Sequence, residues 1–286
     1  GVGGLASPLG GAMNLVVIDY IQQITGSEYI YLDWVVRFFP IMILLFVSNI
    51  LFLIRDVDKS EDLGASNEYF ANELKKMDKM SFEEKVSLAL FLIATVLAFA
   101  RQAYQNILPG LKPAYVFLTC AIIAFFITDT SGNRLLMWKS VQTKIIWELI
   151  YVFAGGLAAG TLINDSGAAA AIGNAVSQMG LKGGLVTVFV IMCFTLVLSD
   201  VTSNTATAAV AVPIVVSIIQ GIGENPLPYI YVATVGVNLS YCFPTSIRAI
   251  PVGYGLQPKY MLKEGLKLSA IVIVLMTVSC YFLFAR

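Results

Sequence analysis

The sequence predicts an all-α integral membrane protein, and three observations carry that prediction. Apolar residues make up 58% of the chain and charged residues only 13%. With a mean hydropathy of +0.80, that lies outside soluble usage. Apolar stretches of spanning length are present, residues 34–54 the clearest of them, and a spanning helix needs ~20 such residues. The third observation is a polar knot, Ser199-Asp200-Val201-Thr202-Ser203-Asn204-Thr205-Ala206-Thr207, set between the shorter apolar runs 185–198 and 208–219. Runs that short are typical of re-entrant or buried segments. Two of them joined by a polar tip predict a helical hairpin that enters the membrane partway and turns back. Non-helical backbone at that depth survives only in protein or beside a wet cavity. Capping of the second helix by Ser203 or Asn204 uses one polar side chain, whereas six lie between Ser199 and Thr205.

Composition also excludes. Formal charge is zero and there is no basic face, so nucleic acid is not an expected partner. There is no histidine, the commonest general base and metal ligand. Cys120, Cys193, Cys242 and Cys280 are scattered through apolar segments without ligand spacing and read as small core residues. There is no strand–elbow–helix serine motif. The chain is not expected to be an enzyme, and a membrane enzyme or a non-transporting scaffold stands as the alternative from another class.

Taken in order, Gly1-Val2-Gly3-Gly4-Leu5-Ala6 fits a dinucleotide fingerprint only literally, because no strand precedes it. With Ser7, Pro8, Gly10 and Gly11 it predicts an unwound stretch through Asn14. Residues 15–24 follow as a half helix carrying Asp19. Residues 34–54 span, with Trp34 and Arg55 at the two interfaces. Residues 55–84 are the one water-exposed segment, with a surface helix around Glu68, Glu73, Lys75 and Lys76. Spans follow at 86–100, 114–128 and 145–163, the last with Gly155, Gly156 and Gly160 for close helix approach. After the hairpin (185–219), a helix from 228 to 241 is interrupted by Cys242-Phe243-Pro244-Thr245-Ser246-Ile247-Arg248-Ala249-Ile250-Pro251, where two prolines break it. The broken helix occupies 228–256 and the last span 263–285. Three segments result: 1–54, the end of a first repeat; 55–84, a connector; and 85–286, a second repeat.

Basic residues orient the chain. A cytoplasmic 55–84 segment puts Arg55, Lys59, Lys75, Lys76, Lys79, Lys85, Arg134, Lys139, Lys144, Lys259, Lys263 and Lys267 inside and leaves Arg101, Lys112, Lys182 and Arg286 outside. The hairpin then enters from outside. A pattern recurs: a Pro-containing break (Pro8, Pro244), a half helix, a short loop, and a long span opened by a charge (Asp33, Glu264). Inverted repeats with broken helices mark secondary transporters, with the site at the midplane.

The motif Ser203-Asn204-Thr205-Ala206-Thr207-Ala208-Ala209, with Pro213 after it, resembles the Ser-Asn-Thr signature of the divalent anion/sodium symporter family. That family carries the signature twice, at the tips of two re-entrant hairpins; it occurs once here, and the other is expected upstream of Gly1. Gly3-Gly4-Leu5-Ala6-Ser7-Pro8-Leu9-Gly10-Gly11-Ala12-Met13-Asn14 resembles the loop that breaks the family's fifth helix, with its Pro-Pro pair absent and Asn14 retained. The break after Tyr241 matches one in the tenth helix. The resemblance implies an elevator-type, inverted-repeat, homodimeric symporter in the plasma or inner membrane. It implies sodium ligands at Ser199, Thr202, Asn204 and Ser246, with Gly10 the remnant of another sodium site. It implies substrate contacts at Ser203, Asn204, Thr205 and Thr245.

Arg248 departs from the family pattern. Arginine at membrane depth is costly and usually has a partner. It is expected to serve the site, gripping the anion or supplying a fixed positive charge where a sodium sits in the family's other members, so that this carrier depends less on sodium; pairing to Asp200 and snorkelling to the interface are the competing readings. The function expected is sodium-coupled uptake of a small divalent anion, a dicarboxylate, citrate or sulfate. The alternative is a proton-coupled or exchange-type carrier of the citrate or arsenite class, with Asp200 as the proton or charge partner.

Overall fold

The computed structural model describes residues 2–55, 64–128, 134–145, 182–244 and 249–285, with 132 and scattered positions between 147 and 175. The expected span 145–163 falls in good part outside the described residues. The longer helices are α1 (Ala12–Thr25), α2 (Tyr31–Ile54), α3 (Gly64–Lys76), α4 (Phe82–Phe99), α5 (Pro113–Phe126), α6 (Gly184–Val201), α7 (Asn204–Gly221), α8 (Pro226–Asn238) and α9 (Pro258–Cys280). The chain is a membrane protein. Among the described residues, α2, α6, α7 and the stretch Pro258–Ala285 are long and apolar enough to cross a membrane.

The chain forms two compact units. The larger holds residues 1–29, 33–52 and 147–286, and within it α6, α7, α1 and α9 pack around α8. Every residue of α8 from Tyr229 to Asn238 is buried, as expected of a helix that is apolar all round. Asn225 caps α8, its side-chain oxygen accepting the Leu227 N–H at 3.0 Å, with Pro226 at the first turn where its missing N–H costs nothing. Close approach to α6 requires Gly236, because a β-carbon there would collide with Thr195 Oγ1.

The first break is two short 3₁₀ turns, Val2–Ala6 and Pro8–Gly10. It is pinned to α2 by Trp34, fully buried, whose indole N–H donates to the Leu5 carbonyl at 2.9 Å. Trp34 packs against Phe38 with the rings tilted and their centroids 4.4 Å apart, and Phe38 meets Tyr231 of α8 edge-on at 5.8 Å. The half helix begins at Ala12 rather than Leu15, so Asn14 is helical. It ends at Gly26, in the left-handed region at φ 66°, whose N–H bonds the Gln22 carbonyl, the usual glycine stop.

The smaller unit holds residues 30–32 and 53–146, with α4 packed on α5. Here α4 starts four residues before the expected span. A reciprocal cap explains it: Ser81 Oγ accepts the Glu84 N–H at 3.2 Å, and the Glu84 carboxylate accepts the Ser81 N–H at 2.8 Å. That pairing satisfies two otherwise orphaned donors. Arg101, read as a loop charge, is only 2% exposed. Its guanidinium donates to the Leu108 and Pro109 carbonyls at 2.9 and 2.8 Å and closes the turn after α4. The expected surface helix is α3, exposed from Glu68 to Asn72, with a Lys76–Glu73 ion pair at 2.6 Å.

Candidate site at the hairpin tip and the two breaks

The tip is narrower than the polar knot that encodes it. Helices α6 and α7 are 18 residues each, roughly 27 Å long, and only Thr202 and Ser203 lie between them. Most of the polar residues stay helical, so each helix outruns its apolar stretch. Ser203 caps α7: its Oγ accepts the Ala206 N–H at 3.2 Å. Thr202 Oγ1 donates to the Leu198 carbonyl at 3.0 Å and lies 2.7 Å from Thr207 Oγ1. The turn is thus closed by hydroxyls bonded back to their own hairpin.

The hairpin also builds the second break. In a continuous helix the N–H groups of Tyr241 and Cys242 would bond the carbonyls of Val237 and Asn238. Side chains of α6 replace those bonds. Ser199 Oγ donates to the Val237 carbonyl at 2.8 Å. Asp200 Oδ1 accepts from the Tyr241 N–H at 2.6 Å and the Cys242 N–H at 2.9 Å. The helix therefore ends at Asn238, three residues before the expected end at Tyr241. Asp200 is 4% exposed and Ser199 fully buried, a depth at which unpaired backbone groups are costly. The far side of the break is close to α9, where a β-carbon at Gly265 would collide with the Tyr241 carbonyl. The Tyr241 hydroxyl lies 3.3 Å from Asn49 Nδ2 on α2.

Asn204 stands where tip and break meet. Its side-chain oxygen lies 3.1 Å from Ser199 Oγ and 3.4 Å from Ser240 Oγ. Three oxygens from α6, α7 and the break therefore converge. The positive end of the α7 dipole points into this region and the negative end of α8 reaches it, so one place offers separate attractions for an anion and a cation.

Of the residues singled out in the sequence, Ser199, Asp200 and Asn204 are brought to the break, while Thr202 and Ser203 form the turn of the hairpin and bond within it. Thr205 is half-buried one residue further along α7. Gly10 sits on the first break, where a side chain would collide with the Gly4 backbone. Thr245, Ser246 and Arg248 lie outside the described residues, and so does any pairing of Arg248 with Asp200.

The structure adds residues that sequence reasoning passed over: Asn238, Ser240 and Asn49. Asn238 donates to Asn14 Oδ1 at 3.0 Å, joining the two breaks. The signal for it was an amide in the apolar run 229–239, since polar groups at membrane depth are expensive and usually functional.

The profile of the citrate transporter family matches residues 1–236. The sodium-dependent dicarboxylate transporter SdcS of Staphylococcus saprophyticus is 28% identical over 99% of this chain and 56% of its own length. The sodium-dependent high-affinity dicarboxylate transporter 3 of Caenorhabditis elegans is 26% identical over 89% of this chain and 50% of its own. SdcS of Staphylococcus aureus strain NCTC 8325 is 28% identical over 96% and 55%. The chain spans about half the length of the curated relatives it matches.

Proposed function

The chain belongs to the citrate transporter family, and from that premise we propose that it carries the substrate and ion site of a secondary transporter coupling sodium to uptake of a small divalent anion. A dicarboxylate is the favoured substrate, because the similar proteins bear that name. The observation that carries the reading is the meeting of α7's N-terminus with the end of α8 around Asn204. An anion is drawn to the first and a cation to the second. Sodium, a hard cation, takes oxygen ligands. Ser199, Thr202, Asn204 and Ser246 supply them, and Gly10 belongs to a further sodium position. Ser203, Asn204, Thr205, Thr245 and Arg248 hold the anion. Ser199 Oγ lies against both the Val237 carbonyl at 2.8 Å and Asn204 Oδ1 at 3.1 Å, which gathers these oxygens in one place.

In this reading α6 and α7 form a re-entrant hairpin entering from outside. The two breaks belong to inverted repeats of an elevator-type homodimer in the plasma or inner membrane. Proton-coupled or exchange transport is the second reading, with Asp200 as the titrating group. The bonds from Asp200 to two backbone N–H groups favour a fixed structural role instead.

The test uses the full-length protein in proteoliposomes. Labelled succinate uptake is compared under an inward sodium gradient, an inward proton gradient, and preloaded internal dicarboxylate. Uptake driven by the sodium gradient alone supports the proposal. Uptake that follows only the proton gradient or only the preload overturns it.

A further inference from the structure

The two breaks meet at a pair of buried amides that the proposed site does not use. Asn14 is fully buried and Asn238 is 1% exposed. Asn14 Nδ2 donates to the Gly4 carbonyl at 2.7 Å and the Ser7 carbonyl at 2.9 Å. Asn238 Nδ2 donates to the Thr234 carbonyl at 2.9 Å and to Asn14 Oδ1 at 3.0 Å. Each amide nitrogen faces two oxygen acceptors, so neither side chain can be turned over without setting oxygen against oxygen. The series of donations therefore ends on Asn238 Oδ1, a buried acceptor that receives no hydrogen bond from the described residues.

The surroundings of that oxygen suit a cation. A β-carbon placed on Gly4 would lie 3.1 Å from the Gly10 carbonyl oxygen, 3.4 Å from the Met13 methyl and 3.5 Å from Asn238 Oδ1. Two oxygens, one from each break, thus face a small space that glycine leaves open. Helix α8 ends at Asn238, so the negative end of its dipole lies there. Half-helix C-terminal ends and unwound carbonyls are where transporters coordinate their coupling ions.

We propose that Asn238 Oδ1 is a ligand for a sodium ion held between the end of α8 and the Gly4–Gly10 backbone. The proposal rests on the sodium coupling argued above and extends it to a residue of the second break. The ion would tie the two breaks together through opposite ends of one amide pair: Asn14 and Asn238 bond each other, and the remaining oxygen takes the charge. A bound water is the competing occupant, since it too would satisfy a lone acceptor in a polar niche.

Sodium titration of succinate uptake by the full-length protein separates the two, with choline replacing sodium. Asn238→Ala is expected to raise the half-saturating sodium concentration about tenfold or more. Gly4→Ala, which fills the space and leaves both amides in place, is expected to raise it as well and decides the matter should Asn238→Ala fail to give monodisperse protein. An unchanged half-saturating sodium in Asn238→Ala, whatever its maximal rate, overturns the proposal, as does an unchanged value in Gly4→Ala. Wild-type uptake indifferent to sodium would sink the coupling itself, an outcome read before any variant is made.

Discussion

Asp200 of α6 holds the backbone of Tyr241 across 41 residues of sequence, its Oδ1 2.6 Å from the Tyr241 N–H. The same oxygen takes the Cys242 N–H at 2.9 Å. One carboxylate thereby ends one helix from the tip of another. Asp200→Ala would remove the acceptor of a buried donor, the Cys242 N–H, and of a half-buried one, the Tyr241 N–H, at about 1–3 kcal/mol for the buried group. The expected result is a loss of several degrees in detergent thermal unfolding, with Asp200→Asn, which keeps an acceptor, falling between. A melting temperature unchanged in Asp200→Ala would mean that the break stands without it.

Asn204 is expected to be the most sensitive single position for transport. Its amide offers oxygen to a cation and N–H to an anion at once. Asn204→Ala should lose coupled uptake by the full-length protein while surface expression stays near normal. Normal uptake in that variant would remove the tip from the site.

Gly236 and Thr195 should behave as a coupled pair. Gly236→Ala overpacks the α6–α8 crossing, at about 1–3 kcal/mol. Adding Thr195→Ala removes the colliding hydroxyl and should recover most of the loss in thermal unfolding. Additive losses in the double variant would show that the crossing tolerates the methyl group in some other way.

Arg248, in the proposed anion site, should separate from a snorkelling residue by its substitutions. Arg248→Ala is expected to raise the half-saturating succinate concentration at least tenfold. Arg248→Lys should keep part of the affinity, because it retains charge but loses the bidentate fork. Unchanged affinity and unchanged sodium response in Arg248→Ala would mark the side chain as a bystander.

Orientation is tested on α3. A single cysteine at Ala71, on an exposed part of that helix, should react with an impermeant maleimide only after the cytoplasmic face is opened. Labelling in intact cells would reverse the proposed topology and the side from which the hairpin enters.

Much of this architecture was legible because membrane spans write themselves in long apolar runs. The run 34–54 lies within α2, and the polar knot marked the tip. Where expectation and structure differ, the reasons are local hydrogen bonds that hydropathy does not record. The first turn of α4 comes from the Ser81–Glu84 cap, although the spacing was there to be read. The early end of α8 comes from Ser199 and Asp200, more than thirty-five residues away in sequence. The burial of Arg101 is not legible at the end of the apolar run 86–100, since nothing in its neighbours announces that the carbonyls of Leu108 and Pro109 will turn back to meet it. The Asn14–Asn238 contact joins residues 224 apart, and no pattern in a single sequence pairs two such amides.

That separation has a consequence for how the protein is made. Chain emerges from the ribosome in order, so Ser199 and Asp200 are already present when Tyr241 and Cys242 follow. The template for the second break exists before the segment it shapes. The first break has no such advantage: the Asn14 side-chain oxygen waits through 224 residues for its donor. The bond that joins the two breaks therefore forms only once Asn238, 224 residues behind Asn14, has been synthesised.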